Sequence, residues 1–127
     1  MPENFPSQVH LLSAARELRE TWSPRVVARV NDQYVKVARL QGEFVWHAHD
    51  DEDELFLVLE GALRIDYRDR PAVLLTAGAL HVVPRGVQHF PVAEQDCLIA
   101  LIETVTTRHT GDVQTGRTRS ISEQLAG

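Results

Sequence analysis

The chain has 127 residues, of which 43% are hydrophobic and 24% charged, enough for one hydrophobic core and too few for several domains. Eighteen acidic against 13 basic residues give a net charge of −5, and this balance disfavours a nucleic-acid-binding face because phosphates would be repelled. No stretch approaches the roughly 20 apolar residues of a membrane span, so we expect neither nucleic acid nor membrane as a partner.

The single cysteine, Cys97, has no second cysteine in the chain with which to form a disulfide. The beginning of the sequence lacks the basic and apolar regions of a secretory signal. We therefore expect a cytoplasmic protein whose one thiol is buried and unreactive.

A helical pattern opens the chain, with apolar residues that recur at steps of four, three and four: Leu11, Ala15, Leu18 and Trp22. Ser13 is suited to cap this helix, and Pro24 is suited to end it. We therefore predict an N-terminal helical segment over residues 1–24.

Short apolar runs separated by turn residues follow, over residues 25–105. They predict about nine strands: Arg25–Val30, Gln33–Leu40, Glu43–His49, Glu54–Glu60, Ala62–Tyr67, Ala72–Thr76, Ala79–Val83, Val87–Ala93 and Cys97–Val105. Without helices between them, these strands favour an all-β antiparallel sandwich or barrel. Residues 106–127 are polar, and we expect this tail either to lie over the body as an arm or to be partly disordered.

Two histidines lie two residues apart in the third predicted strand. Side chains at this spacing point to the same face, so His47 and His49 would project into one space. Buried imidazoles need partners, and a metal ion is a partner that two of them can share. Glu54 follows the acidic link Asp50–Asp53, which we predict to be a turn or loop that lets the carboxylate face both histidines.

A second cluster is built around Pro84 and Gly86, which predict a tight turn, and around His89 on the strand that follows. Together with the first cluster it supplies three imidazoles and one carboxylate. Such a set would coordinate a divalent ion and, in an octahedral ion, leave two adjacent positions for water, substrate or dioxygen.

The two clusters resemble the two motifs of the cupin superfamily. They read Gly42-x4-His47-x-His49-x4-Glu54-x6-Gly61 and Gly78-x5-Pro84-x-Gly86-x2-His89, with sixteen residues, Ala62–Ala77, between them. The first gap has four residues where the family usually has five, and Ala93 stands where the second motif usually has asparagine.

The resemblance implies a double-stranded β-helix, that is, a jelly-roll-like conical barrel over residues 25–105, in a small single-domain bacterial cupin. RmlC-like and mannose-6-phosphate isomerase-like cupins are the members it is similar to. The four family metal ligands carry over onto His47, His49, Glu54 and His89. A homodimer formed through an exchanged N-terminal strand is also implied.

Several other polar residues have alternative interpretations. His81 could enter the barrel as a base or substrate contact behind the metal ligands, or it could stand on the outer face. We expect the acidic link Asp50–Asp53 to be solvated and to attract cations to the barrel mouth. We expect His10 and His109 to lie outside the barrel, without partners in the pattern.

Two main functions fit this reading. One is a metal-dependent enzyme that acts on a small oxygen-bearing metabolite, as a dioxygenase, decarboxylase or isomerase would. The other is a non-catalytic module that binds a metal or a small ligand. A zinc-dependent sugar-phosphate isomerase ranks below both, because only Arg85, Arg64 and Lys36 are available to hold a phosphate. Fe, Mn, Ni and Zn all suit the ligand set, so the pattern leaves the metal, the substrate and the presence of catalysis open.

Overall fold

The computed structural model describes residues 4–111 and 118–126. The described residues form seven strands and two short helices: α1 (Leu11–Arg16), β1 (Arg25–Val30), β2 (Gln33–Glu43), β3 (Glu54–Glu60), β4 (Ala62–Tyr67), β5 (Val73–Thr76), β6 (Leu80–Val83), β7 (His89–Thr104) and α2 (Ile121–Ala126). Within this part of the chain, neither helix has the length and apolar character needed to cross a membrane.

Strand β7 belongs to both layers of the molecule. Its second half lies between β2 and β3, in the antiparallel order β1-β2-β7-β3-β6. Its first half pairs with β4, which carries β5, and with the end of β2 at Gly42 and Glu43. The two layers enclose the main core, and the all-β jelly-roll barrel expected from the sequence is confirmed.

Three predicted strands differ from the structure. The segment predicted as Glu43–His49 is irregular beyond Glu43 and makes a single bridge between His47 and His89. The last two predicted strands are one continuous strand, because Glu94-Gln95-Asp96 contains neither glycine nor proline and bends without leaving the sheet.

The N-terminal helix is shorter than predicted. Its N-cap is His10, whose Nδ1 accepts a hydrogen bond from the backbone N–H of Ser13 at 3.3 Å, so the prediction of Ser13 as cap is wrong. The prediction that Trp22 extends the helical face is also wrong, because Trp22 has a φ of 57°. Its ring instead stacks on Phe44 in the core, with centroids 4.7 Å apart.

The segments outside the barrel pack against it. Helix α1 covers part of the outer sheet face, where Ala14 and Ala15 join a second apolar cluster with Val37 and Leu98. Residues 106–111 and 118–126 also include buried polar side chains: Thr107, Thr110 and Gln124. The part of the predicted tail at residues 112–117 and 127, and residues 1–3 of the predicted N-terminal segment, lie outside the described residues.

Candidate metal centre

Four side chains from both sequence clusters meet inside the barrel. His47, His49, Glu54 and His89, together called the His/Glu cluster, each offer a ligand atom, and these atoms lie within 4.8 Å of one another. All four residues are buried. Glu54 is the first residue of β3 and His89 the first of β7, whereas both other histidines lie on the irregular segment between β2 and β3.

Backbone hydrogen bonds hold the two motifs together. The N–H of His47 donates to the carbonyl of His89 at 3.1 Å, and the N–H of His89 donates to the carbonyl of His47 at 2.9 Å. The N–H of Gly86 donates to the carbonyl of His49 at 2.7 Å. The turn predicted at Pro84 and Gly86 therefore supports the irregular histidine segment directly, and Gly86 has the φ of +75° that such a turn requires of glycine.

Two of the imidazoles are oriented by backbone carbonyls. Nδ1 of His47 lies 2.9 Å from the carbonyl oxygen of Val45, and Nδ1 of His89 lies 3.0 Å from that of Val87. Because a carbonyl oxygen only accepts, each Nδ1 carries the proton and donates it. The Nε2 lone pair of each ring is consequently free to bind a cation.

The buried ligand atoms lack hydrogen-bond partners within the described part of the chain. His49 Nε2 and His89 Nε2 lie 3.3 and 3.5 Å from Glu54 Oε1, yet none of these three atoms makes a hydrogen bond of acceptable geometry. Buried polar atoms without partners are costly, and a cation placed among them would remove that cost. The cluster could therefore hold a metal ion, and its three nitrogen donors and one oxygen donor suit divalent transition metals.

Burial and mutual charge set the protonation of the cluster. Burial lowers the pKa of His47 to about 3, so this imidazole is neutral at pH 7. Burial alone would raise the pKa of Glu54, but the charge of His49 beside it outweighs burial and holds that pKa well below its usual value. Burial would also lower the pKa of His49, but the Glu54 carboxylate reverses the direction and raises it. The cluster thus contains an ionised carboxylate, as a cation requires.

A small cavity, called the inner cavity, adjoins the cluster. Its volume is about 30 Å³, which suits one or two water-sized molecules. His47 and Glu54 form its polar side. The rest of its wall is mostly apolar: Trp22, Pro24, Ala38, Leu40, Phe44, Phe56, Pro91, Ile99 and Leu101, with His109.

A second, polar pocket of about 200 Å³ lies at the surface beside His49 and is called the outer acidic pocket. Three residues of the acidic link line it, namely Asp50, Asp51 and Glu52. Arg108 lines the same pocket, and the attraction of cations by the link stays a prediction.

The structure places His81 on the same side of the sheet as the core residue Phe56, its register partner on β3. His81 is half-buried, and its Nε2 lies 2.7 Å from the hydroxyl oxygen of Tyr67. Tyr67 is in turn the register partner of His89. His81 is not a member of the His/Glu cluster, but it is linked through Tyr67 to the strand pair that carries one ligand.

The prediction that His109 lies outside the barrel without a partner is wrong. Its ring lines the inner cavity and lies 5.0 Å from the ring of Phe44. Its Nδ1 accepts a hydrogen bond from the backbone N–H of Arg119 at 2.9 Å. Nothing in the local sequence indicates this position, because the contact depends on how the segment after β7 folds back.

A buried ion pair also escaped the sequence analysis. Lys36 Nζ lies 3.5 Å from Glu103 Oε1, with both side chains almost completely buried. Glu103 is the register partner of Glu54. Burial, and after it the Glu54 charge, raise the pKa of Glu103 to about 8. The alternation of side chains along β2 could have indicated that Lys36 is buried. Lys36 lies on the same face as three buried residues, Tyr34, Ala38 and Leu40.

Comparisons with known proteins agree with this architecture. An uncharacterized protein of Bacillus subtilis (strain 168), YdbB, is 41% identical over 80 residues, covering 63% of this chain and 71% of YdbB. The crystal structure of a cupin-2 domain containing protein from Shewanella frigidimarina NCIMB 400 is 43% identical with a TM-score of 0.72, covering 76% of this chain and 93% of that chain.

Hydroquinone 1,2-dioxygenase from Sphingomonas sp. TTNP3 shares the fold, with a TM-score of 0.70 and 21% identity over 81% of this chain and 37% of that chain. The cupin domain family matches residues 34–102, which is more than half of the chain and includes the whole His/Glu cluster. The chain therefore belongs to the cupin family.

Proposed function

We propose that this cupin binds one divalent metal ion through His47, His49, Glu54 and His89 and acts as a metal-dependent enzyme on a small oxygen-bearing metabolite. The observation that carries the proposal is the set of buried ligand atoms without hydrogen-bond partners, converging within 4.8 Å. A bound Fe, Mn, Ni or Zn ion would supply Lewis acidity and open coordination positions.

The residues of the chain have separate roles in this proposal. His47 and His89 would bind the ion through Nε2, in directions that the carbonyls of Val45 and Val87 fix. Glu54 supplies the negative charge that favours a cation. The apolar wall of the inner cavity excludes bulk water, so that charge interactions inside it are stronger than in solvent.

Tyr67 and His81 are the proposed proton-handling pair behind the metal ligands. The 2.7 Å contact between the hydroxyl and the imidazole lets either group hold the shared proton. His81 is partly exposed to solvent, and Tyr67 is the register partner of His89. The pair could therefore pass a proton between solvent and the neighbourhood of His89. In this role His81 is a positioning residue that acts through Tyr67.

Among the three reaction classes, the inner cavity favours a dioxygenase. A volume of about 30 Å³ admits a molecule the size of dioxygen or water beside His47 and Glu54. The same volume also supports the second candidate, a module that binds a metal and a very small ligand without turnover.

A sugar-phosphate isomerase is less well supported. Lys36 is paired with Glu103, and Arg64 is paired with Asp66. Arg85 is exposed on the turn before β7. Within the described residues, these cations form no cluster at the inner cavity that could hold a phosphate.

Metal binding is tested by elemental analysis and by titration with Fe(II), Mn(II), Ni(II) and Zn(II). We expect one ion per chain and a loss of affinity of about 100-fold or more in His47→Ala and His89→Ala, since each removes a ligand. Circular dichroism should show that both variants remain folded. His10→Ala is the control, because His10 caps α1 away from the cluster. Trace occupancy with no uptake of any of these ions would refute the metal site.

Catalysis is tested separately with the metal-loaded protein. We expect oxygen consumption with a catechol, hydroquinone, diketone or keto acid, and its loss in His47→Ala. Normal metal uptake without transformation of any of these compounds would favour the binding module instead.

A homodimer and a cytoplasmic location complete the proposal. The outer face of β6 exposes Leu80 by 57% and Val82 by 42% beside the partly buried Leu55 and Leu57 of β3. An uncharged apolar face suits a second copy that presents the same face. The fully buried thiol of Cys97, whose pKa burial raises to about 11, is compatible with a reducing compartment.

Light scattering on a size-exclusion column tests the dimer. We expect a dimer for the unmodified chain and a monomer for Val82→Glu, because two carboxylates would face each other across the interface. Gln95→Glu adds the same charge on the exposed bend of β7 and should leave the dimer intact. Dimers in both variants would place the interface elsewhere.

A further inference from the structure

His109 closes the inner cavity on the side of the segment that follows β7. Its imidazole shares the wall with His47 and Glu54. Phe44 contacts both histidines: its ring centroid lies 5.0 Å from that of His109 and 5.5 Å from that of His47. His109 therefore faces the cavity without being a member of the His/Glu cluster.

The backbone decides which nitrogen of His109 is a donor. The N–H of Arg119 donates to Nδ1 at 2.9 Å, and an amide N–H cannot accept in return. Nδ1 is therefore the acceptor, so the ring proton of the neutral imidazole is on Nε2. Within the described residues, no atom accepts a hydrogen bond from this Nε2. Burial lowers the pKa of His109 to about 4, which agrees with a neutral ring at pH 7.

The remainder of the wall offers little competition for a polar ligand. The indole N–H of Trp22 already donates a hydrogen bond to the carbonyl of Gln41 at 2.8 Å. The neighbouring side chains of Phe44, Phe56 and Leu101 are apolar. A ligand between His109 and the cluster would thus meet cation-binding atoms on one side and a hydrogen-bond donor on the other.

We propose that His109 is a ligand-recognition residue, whose Nε2 donates a hydrogen bond to a small anion or oxygen-bearing molecule in the inner cavity. This proposal rests on the proposed metal site. The volume of about 30 Å³ restricts such a ligand to two or three heavy atoms while the wall keeps this arrangement. His109 contacts the ligand and does not bind the metal.

Azide binding to Co(II)-loaded protein tests this role, since azide is a three-atom anion and its binding changes the visible absorption of Co(II). We expect azide affinity to fall about 10-fold or more in His109→Phe, the loss typical of a hydrogen bond to a charged group. Co(II) affinity, measured by calorimetry, should change by no more than about twofold, because the substitution leaves all four metal ligands in place. His109→Gln, which keeps an N–H donor, should recover part of the azide affinity, and His10→Phe should match the unmodified chain.

Equal azide affinity in the unmodified chain and in His109→Phe, with Co(II) bound in both, would overturn the role of His109 and leave the metal site standing. Failure of the unmodified chain to bind Co(II) would overturn both proposals. A second measurement needs no variant: long-range ¹H–¹⁵N NMR of the Zn(II)-loaded protein should show the Nε2–H tautomer of His109 and a shift of its signals on azide addition. An Nδ1–H tautomer would likewise overturn the proposal.

Discussion

At the scale of single residues, hydrogen bonds to the backbone decide what each histidine can do. The carbonyls of Val45 and Val87 place the ring protons of His47 and His89 on Nδ1 and free both Nε2 atoms for a cation. The amide of Arg119 has the opposite effect on His109 and leaves it a donor at Nε2. The polarity of one neighbouring peptide group thus suits two of these three imidazoles to bind a cation and the third to donate a hydrogen bond.

The buried pair of Lys36 and Glu103 leads to a prediction at the same scale. Above the Glu103 pKa of about 8, for example at about pH 9, Lys36→Met leaves the Glu103 carboxylate buried without its cation and beside Glu54, so we expect a loss of about 3 kcal/mol in the free energy of unfolding. Replacing both residues, as Lys36→Met with Glu103→Leu, should restore most of that loss. Urea denaturation of the metal-free protein measures both effects.

The exposed pair of Arg16 and Glu60 provides the control for this cycle. Arg16→Met should cost less than about 1 kcal/mol, because solvent screens exposed charges. If Lys36→Met were no more destabilising than Arg16→Met, the buried pair would have no special part in stability.

At the scale of elements, the connections decide where the ligands lie. The stretch after Glu43 leaves the regular sheet, and backbone hydrogen bonds hold it at three places: from Phe44 to the carbonyl of Pro91, at the bridge to His89, and from the amide of Gly86. This departure lets Phe44 join the core beside His47, although alternation along a strand would place them on opposite faces. Two motifs distant in sequence thereby act as one support for the cluster.

The turn between β3 and β4 gives a prediction for the elements. Gly61 and Gly78 have nearly the same φ, +90° and +89°, but a Cβ on Gly61 would lie 2.8 Å from the carbonyl oxygen of Asp96. A Cβ on Gly78 would meet no atom within 4 Å among the described residues. We therefore expect Gly78→Ala to lower the free energy of unfolding by about 1 kcal/mol, through the unfavourable φ alone. Gly61→Ala should lower it by about 3 kcal/mol or more, because its methyl group also clashes with Asp96.

Thermal unfolding of the two variants, monitored by circular dichroism, measures the difference. Gly78→Ala is the matched control for backbone strain. The additional loss of stability in Gly61→Ala therefore measures the effect of the close approach of Asp96 in β7. Equal losses would mean that this bend yields to a methyl group without cost.

At the scale of the whole molecule, β7 joins the two layers and thereby closes the barrel around the cluster. Its first residue supplies His89, whereas its far half places Glu103 beside Glu54 on β3. The barrel thus buries the four side chains of the His/Glu cluster, and three of their polar atoms have no hydrogen-bond partner among the described residues. Such an arrangement makes the folded state a better metal binder than the unfolded chain.

Metal addition should therefore stabilise the fold. Zn(II) at about 100 times its Kd adds about 2.7 kcal/mol to the free energy of unfolding, or about 10 °C in Tm for a chain of this size. A chelator should reverse the shift. The combined variant His47→Ala with His89→Ala should show none, and an equal shift in that variant would mean that the ion acts at another site.

Local spacing favoured an antiparallel sandwich or barrel, and the resemblance of two motifs to those of the cupin superfamily implied the conical barrel and the four clustered residues. Glycines and prolines mark the turns, apolar alternation marks the strands, and the intervals from Gly42 to Gly61 and from Gly78 to His89 contain the two motifs. Each of these features involves only a few neighbouring residues. It therefore sets the local backbone conformation wherever the strand lies in the fold.

Long-range packing settled the rest. Three contacts join residues far apart in the chain: the ring of His109 at the cavity, the pair of Lys36 with Glu103, and the stacking of Trp22 on Phe44. Such contacts depend on which surfaces are still exposed after the sheets have packed together. Local periodicity does not identify those surfaces.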